Sequence, residues 1–142
     1  MGQSTDAYLY YGIQLEEGYE LPWQKEIDEE LYWEDFYANE MGVFHPIEEY
    51  DENTKSIYKE YWDKKRVLIK ECKCEVDSHC SCDYPIYYVC IKESVKHASR
   101  GCPTIVESLD VGENWNSLLE DFCKIMELPY EEPKWWLSSM WC

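Results

Sequence analysis

The residue pattern predicts an α+β fold: a single compact domain spanning 1–142, with a small antiparallel sheet and about three helices. Three observations predict it. A chain of 142 residues is most simply one domain. Its 45% hydrophobic and 16% aromatic content supports a core, which acidic disordered chains lack. Short aromatic and β-branched segments are interspersed with segments of helical period, without an internal repeat or low-complexity linker.

The elements follow in order. Ala7-Tyr8-Leu9-Tyr10-Tyr11 reads as an N-terminal strand closed by Gly12. Glu16 to Pro22 is a polar connection. Gln24 to Asn39 lacks Gly and Pro, and Ile27, Leu31, Trp33, Phe36, Tyr37 and Ala38 recur at helical spacing, so a helix is expected there, stopped by Met41-Gly42. A shorter helix is expected from Glu52 to about Lys65, with Ile57, Tyr58, Tyr61 and Trp62 on one side. Val67 to Cys74 and Tyr84 to Ile91 read as antiparallel strands joined by the polar stretch Glu75–Asp83.

Arg100-Gly101-Cys102-Pro103 is a turn signal. Glu113 to Met126 is the clearest helix, because Trp115, Leu118, Leu119, Phe122 and Ile125 follow i, i+3, i+4, i+7 spacing. Asp110 and Glu113 have the spacing of a capping box, and Pro129 closes the segment. Trp135 to Trp141 has the character of a last strand.

Charge divides the chain. Residues 1–63 hold 17 Asp and Glu against Lys25, Lys55 and Lys59, while 64–142 hold 13 acids against 10 bases. The first part is an acidic half and the second, with all eight cysteines, a cysteine-bearing half. A field this lopsided costs compactness unless a positively charged partner makes use of it. The expectation is a binding protein rather than an enzyme.

Glu26, Glu30 and Glu34 fall at i, i+4, i+8 and would form one helical ridge, with Asp28, Glu29 and Asp35 beside it. The acidity continues through Glu48, Glu49, Asp51 and Glu52. DNA carries a phosphate every ~3.4 Å along each strand, and rows of carboxylates can present comparable charge density. These ten acids are therefore candidates for a nucleic-acid-mimicking surface that binds a basic protein. The alternative is a solvated helix face.

The cysteine pairs Cys72-x-Cys74 and Cys80-x-Cys82 could surround a zinc ion at ~2.3 Å if a hairpin brought them together. Structural zinc pairs leave two or more intervening residues, so the one-residue spacing argues against a metal. These cysteines are then small buried side chains, free thiols in a reducing cytosol, and no cofactor is expected. Cys102 with His97 and Cys80 with His79 are weak candidates for catalytic pairs. No Gly-rich phosphate loop, H-E-x-x-H or G-x-S-x-G occurs. The net charge of −17 opposes direct contact with nucleic acid. No run approaches the ~20 apolar residues of a membrane span. The opening Met1–Asp6 lacks the basic and apolar regions of a secretory signal, so a cytosolic location is expected. Trp135, Trp136 and Trp141 are either exposed anchors for another protein or residues that pack the C-terminus onto the sheet.

Four stretches carry a resemblance: Met1-Gly-Gln-Ser-Thr-Asp-Ala-Tyr-Leu9, His79-Cys-Ser-Cys-Asp-Tyr-Pro-Ile-Tyr87, Arg100-Gly-Cys-Pro103 and Trp135-Trp-Leu-Ser138. Together they resemble small acidic accessory proteins of tailed bacteriophages and prophages. The resemblance implies action in a bacterial host cytosol and lends no catalytic residue. It makes an inhibitor of a host defence protein, of anti-CRISPR or anti-restriction type, the leading expectation. A virion or assembly protein that binds through its Trp-rich end is the alternative.

Overall fold

The computed structural model describes residues 5–24, 32–81 and 83–141. Its elements run β1 (Thr5–Gln14), α1 (Trp33–Glu40), α2 (Lys55–Glu71), β2 (Cys74–Ser81), β3 (Pro85–Ile91), β4 (Lys96–Ala98), α3 (Trp115–Met126) and β5 (Lys134–Trp141). The fold is α+β, with 3-10 turns at Pro22–Gln24 and Lys92–Ser94. Gln24 therefore belongs to a turn, and the expected helix over 24–39 is seen from Trp33 onward. Its residues 25–31 lie outside the described ones.

β1 organises the sheet. One edge pairs with β5, from Thr5↔Trp141 to Gly12↔Lys134. The other edge pairs first with β4, at Ala7↔Ala98 to Leu9↔Lys96, and then with β3, at Gly12↔Cys90 to Gln14↔Tyr88. β2 pairs along β3 from Cys74↔Ile91 to Cys80↔Pro85. The end of β2 then meets the end of β5 in a short parallel step, Cys80↔Met140 and Ser81↔Trp141. These pairings close a ring β1–β3–β2–β5, so the sheet is mixed and closed, not simply antiparallel. Closure satisfies edges that would otherwise recruit another strand.

Gly12 corrects the first expected boundary. The strand does not end there; it passes through Gly12 to Gln14. A Cβ at this position would lie 1.9 Å from the Val89 carbonyl oxygen and 2.7 Å from the Cys90 Cα. Glycine is required because two backbones touch, not because the chain turns.

The expected strand over 67–74 is also overturned. Val67 to Glu71 form the last turn of α2, and β2 occupies the stretch taken for a polar link. The apolar groups Tyr58, Tyr61, Leu68 and Ile69 keep helical spacing, and burial of that stripe against α1 outweighs the β-propensity of Val67-Leu68-Ile69. In β2, Cys74 and Val76 are buried while Glu75, Asp77 and His79 alternate with them. The alternation is present in the sequence but is disguised by charge.

The two faces of the sheet build two cores. One joins Tyr11, Ile13, Val76, Val89 and Ile91 to Tyr37 of α1 and to Trp115, Leu119 and Phe122 of α3. The other, inside the ring, consists of Tyr10, Tyr88 and Cys90 with Tyr8, Val95 and Trp136 packed against them. α3 is capped at Asn114 with no side-chain hydrogen bond, so Asp110 and Glu113 form no capping box. At its other end Glu127 is left-handed (φ 57°), and Leu128 N–H donates to the Cys123 carbonyl at 2.9 Å. That geometry is a Schellman stop.

Candidate functional site

Where the acids fall depends on α2. Residues 1–54 hold 15 acids against Lys25, whereas α2 carries Lys55, Lys59, Lys64, Lys65, Arg66 and Lys70 against Glu60, Asp63 and Glu71. The acidic part of the chain thus ends where α2 starts, and that helix is basic. Its cations are partly matched: Lys64 with Glu60 at 2.8 Å, Arg66 with Asp63, and Lys65 with Asp35 at 2.7 Å.

Of the expected ridge, Glu26, Asp28, Glu29 and Glu30 lie outside the described residues. Glu34 and Asp35, in the first turn of α1, line a cleft with Lys65, Arg66, Lys70 and Lys92. Asp35 accepts hydrogen bonds from Lys65 Nζ and, at 3.2 Å, from the Tyr61 hydroxyl. Its charge is answered within the molecule. Glu48, Glu49, Asp51 and Glu52 stand apart on the loop 41–54, exposed and without a basic residue among them.

That loop is folded back onto α2 by specific bonds. The Tyr58 hydroxyl donates to the Glu48 carbonyl at 2.6 Å. Asp51 Oδ1 accepts from Asn53 N–H at 2.7 Å and Thr54 N–H at 3.0 Å, so Asp51 shapes the turn that leads into α2. Thr54 Oγ1 donates to the Glu49 carbonyl at 2.8 Å. The rings of His45 and Tyr50 pack edge-on against Tyr58 at 5.5 and 5.3 Å.

Between α1, this loop and the first half of α2 lies a groove of about 790 Å³, walled by Phe36, His45, Tyr58, Tyr61 and Trp62, with Ile47, Glu48 and Glu49 at its mouth. Ile47, which lines it, is 99% exposed, and Phe44, on the same loop but outside the lining, is 67% exposed. An apolar patch rimmed by acids is the chemistry of a protein-docking surface. One end already shows how it treats a cation, since Lys65 Nζ sits 5.5 Å from the Tyr61 ring centre while paired with Asp35. Sequence reasoning found the acids but not Phe44 and Ile47, which lie in no periodic segment.

The cysteines are not gathered. Cys74 and Cys80 occupy opposite ends of β2, six residues or roughly 20 Å apart at the rise of a strand, so they share one strand of the β2–β3 hairpin and are not brought together by its turn. Cys72 and Cys74 are buried at the start of β2, Cys80 is half-buried, and Cys82 lies outside the described residues. Among the described residues no cluster of three His, Cys, Asp or Glu could hold a metal. Burial, then neighbouring Cys72, pushes the Cys74 thiol up to about 12. Burial pushes Cys123 up to about 11. Both are protonated core groups at neutral pH.

In each candidate catalytic pair the imidazole Nε2 faces another group: His79 Nε2 faces Gln14 Oε1 at 3.0 Å rather than the adjacent Cys80 thiol. His97 Nε2 faces Asp6 at 3.3 Å and its ring stacks on Tyr8 at 4.7 Å, while Cys102 is exposed in the turn after β4. At the C-terminus, Trp135 Nε1 donates to the Leu109 carbonyl and Trp136 Nε1 to the Gly12 carbonyl. Those two indoles fasten β5 into the fold; of the three tryptophans Trp141 is the exposed one, at 46%.

No local residue pattern signals the polar face inside the ring. Tyr10 and Tyr88 stack at 3.8 Å with their planes 9° apart. Burial raises the Tyr10 hydroxyl to about 12 and carries Tyr88 higher still, with Asp77 adding to the rise. Cys90 Sγ lies 3.7 Å from Glu75 Oε1. Burial, reinforced by Asp77, lifts the Glu75 carboxyl above its usual range.

No described helix is long and apolar enough to cross a membrane. Comparison with known protein families, curated proteins and solved structures finds no match for this chain.

Proposed function

We propose that this protein is a non-enzymatic inhibitor that docks onto a basic, nucleic-acid-handling protein through the groove beside the loop 41–54. The observation that carries the reading is the pairing of exposed Phe44 and Ile47 with Glu48, Glu49 and Glu52 on one loop whose backbone is bonded back onto α2. Exposed apolar side chains on the loop supply area to bury, and carboxylates with no ion-pair partner among the described residues speed encounter with a positive surface. A pre-shaped loop has less ordering entropy to lose on binding.

The resemblance to phage accessory proteins favours a host defence target, a CRISPR effector or restriction enzyme, in the bacterial cytosol. Among the described residues, mimicry of nucleic acid then rests on a short acidic loop with an apolar anchor. The test is plating of a susceptible phage on bacteria that express this protein together with a restriction or CRISPR system. Plating should rise on the defended host and stay unchanged on the undefended one. The Ile47→Ser, Glu48→Gln, Glu49→Gln variant should lose the effect while still folding. Plating that never changes on defended hosts, or a variant as active as the parent, overturns the proposal.

A further inference from the structure

β2 and β5 share only the two paired positions that close the ring. Beside this seam is a second cavity, of about 470 Å³, lined by residues of β1, β2, β3 and β5, a volume in the range of small-molecule sites. It lies apart from the docking groove and shares no lining residue with it.

Its polar groups have a fixed sense. Gln14 Nε2 donates to the Tyr87 carbonyl at 3.1 Å and to the Leu15 carbonyl at 3.3 Å. The amide is thereby oriented, and Oε1 is left to accept. It receives the Tyr10 hydroxyl at 2.7 Å and faces His79 Nε2 at 3.0 Å. Because Oε1 cannot donate, His79 must carry its proton on Nε2. Nδ1 is then an unprotonated acceptor, and it has no hydrogen-bond partner among the described residues. Burial lowers the His79 pKa, which keeps the ring neutral at physiological pH.

The neighbours narrow what such an acceptor would receive. His79 caps a column of rings, 6.1 Å from Tyr88, which stacks on Tyr10. Ile86 and Trp136 supply apolar walls, and the Trp136 indole N–H is already given to the Gly12 carbonyl. Ser138 Oγ is buried in the wall beside the Tyr10 hydroxyl. Glu17 is the charged group of the lining, and no Lys or Arg belongs to it. A phosphate or carboxylate would meet the His79 acceptor and the like charge of Glu17. A flat ring with an N–H donor would meet aromatic surface and the open acceptor at His79 Nδ1.

We infer that the seam cavity is a binding site for a small planar ligand, uncharged or cationic, whose N–H donors are received by His79 Nδ1. The class includes amidines and amino-substituted heteroaromatic rings. It excludes intact nucleotides, whose phosphates the site cannot hold.

The experiment is long-range proton–nitrogen NMR on the full chain labelled with ¹⁵N, titrated with benzamidine and, separately, with its anionic isostere benzoate. The expected result is the Nε2–H tautomer at His79, a shift of its Nδ1 resonance with benzamidine, and no shift with benzoate. His79→Phe, which keeps a ring in the column but removes the acceptor, should weaken benzamidine about tenfold or more. The thermal midpoint of that variant is read alongside. Should it fail to fold, Gln14→Glu provides the second readout, because a carboxylate beside Nε2–H should raise the His79 pKa measured in the same spectra. An Nδ1–H tautomer, benzoate binding as well as benzamidine, or no movement of His79 at saturating benzamidine would each overturn the inference.

Discussion

At the scale of single residues, Gly12 and the thiols show how position decides what a side chain does. Gly12 lies where β1 passes from β4 to β3 along one edge, and no side chain fits between its Cα and the Val89 carbonyl. Gly12→Ala should cost more than about 4 kcal/mol, the range of exceptional mutations. Gly18→Ala, at φ 78° with open space around it, should cost only about 1–2 kcal/mol. Urea denaturation of both variants checks the contrast; equal costs would mean that the strands are not in contact at Gly12. The cysteines divide in the same manner. Of the described thiols, a reagent at neutral pH should modify exposed Cys102 first, while Cys74, Cys90 and Cys123 react only on unfolding, because burial both shields them and keeps them protonated. Counting labelled sites by mass spectrometry over time tests this order.

Among the elements, α2 and β2 mark the limit of what the sequence revealed. α3 and β5 were legible because Trp115, Leu119 and Phe122 keep a strict helical period and because Trp135, Trp136 and Trp141 mark the segment 134–141. The border between α2 and β2 was not. No Gly or Pro punctuates residues 54–84, and Val67-Leu68-Ile69 favours a strand locally while the stripe from Tyr58 through Ile69 favours a helix. The ring closure was hidden for a related reason: it depends on a two-residue parallel step between segments some sixty positions apart, which no local pattern records. The docking loop escaped because its apolar residues are few and aperiodic. Val67→Pro decides the border. In a helix it removes the bond to the Asp63 carbonyl and introduces a clash, costing about 3 kcal/mol or more. Helical Cα chemical shifts over 67–71 should accompany that loss; extended shifts there would restore the strand reading.

For the whole molecule, proton linkage and net charge make separate statements. Burial first, then Cys72, raises Tyr37 to about 12; burial first, then the Asp35 charge, raises Tyr61 to about 12. Cys74 and Tyr10 are raised as far by burial. In the unfolded chain thiols ionise near 9.0 and tyrosines near 10.0. The unfolded state therefore loses protons before the folded state does as pH rises. The stability these groups contribute is complete below about pH 9 and falls between about 9 and 12. Denaturation midpoints that stay level across that window would show that these groups are not buried as described.

Net charge bears on the central claim, that an acidic, apolar-lipped loop binds a basic protein. Repulsion among 30 acids against 13 bases would be offset by the positive partner proposed above, and such association weakens as salt screens the charges. The most direct test is capture from bacterial lysate at low and high salt, using the parent protein and the Glu48→Gln, Glu49→Gln, Glu52→Gln variant. The account predicts that the parent retains nuclease or other nucleic-acid-handling subunits at low salt, loses them at high salt, and that the folded variant retains few at either. Salt-insensitive capture of other proteins, or capture unchanged by the variant, would contradict it.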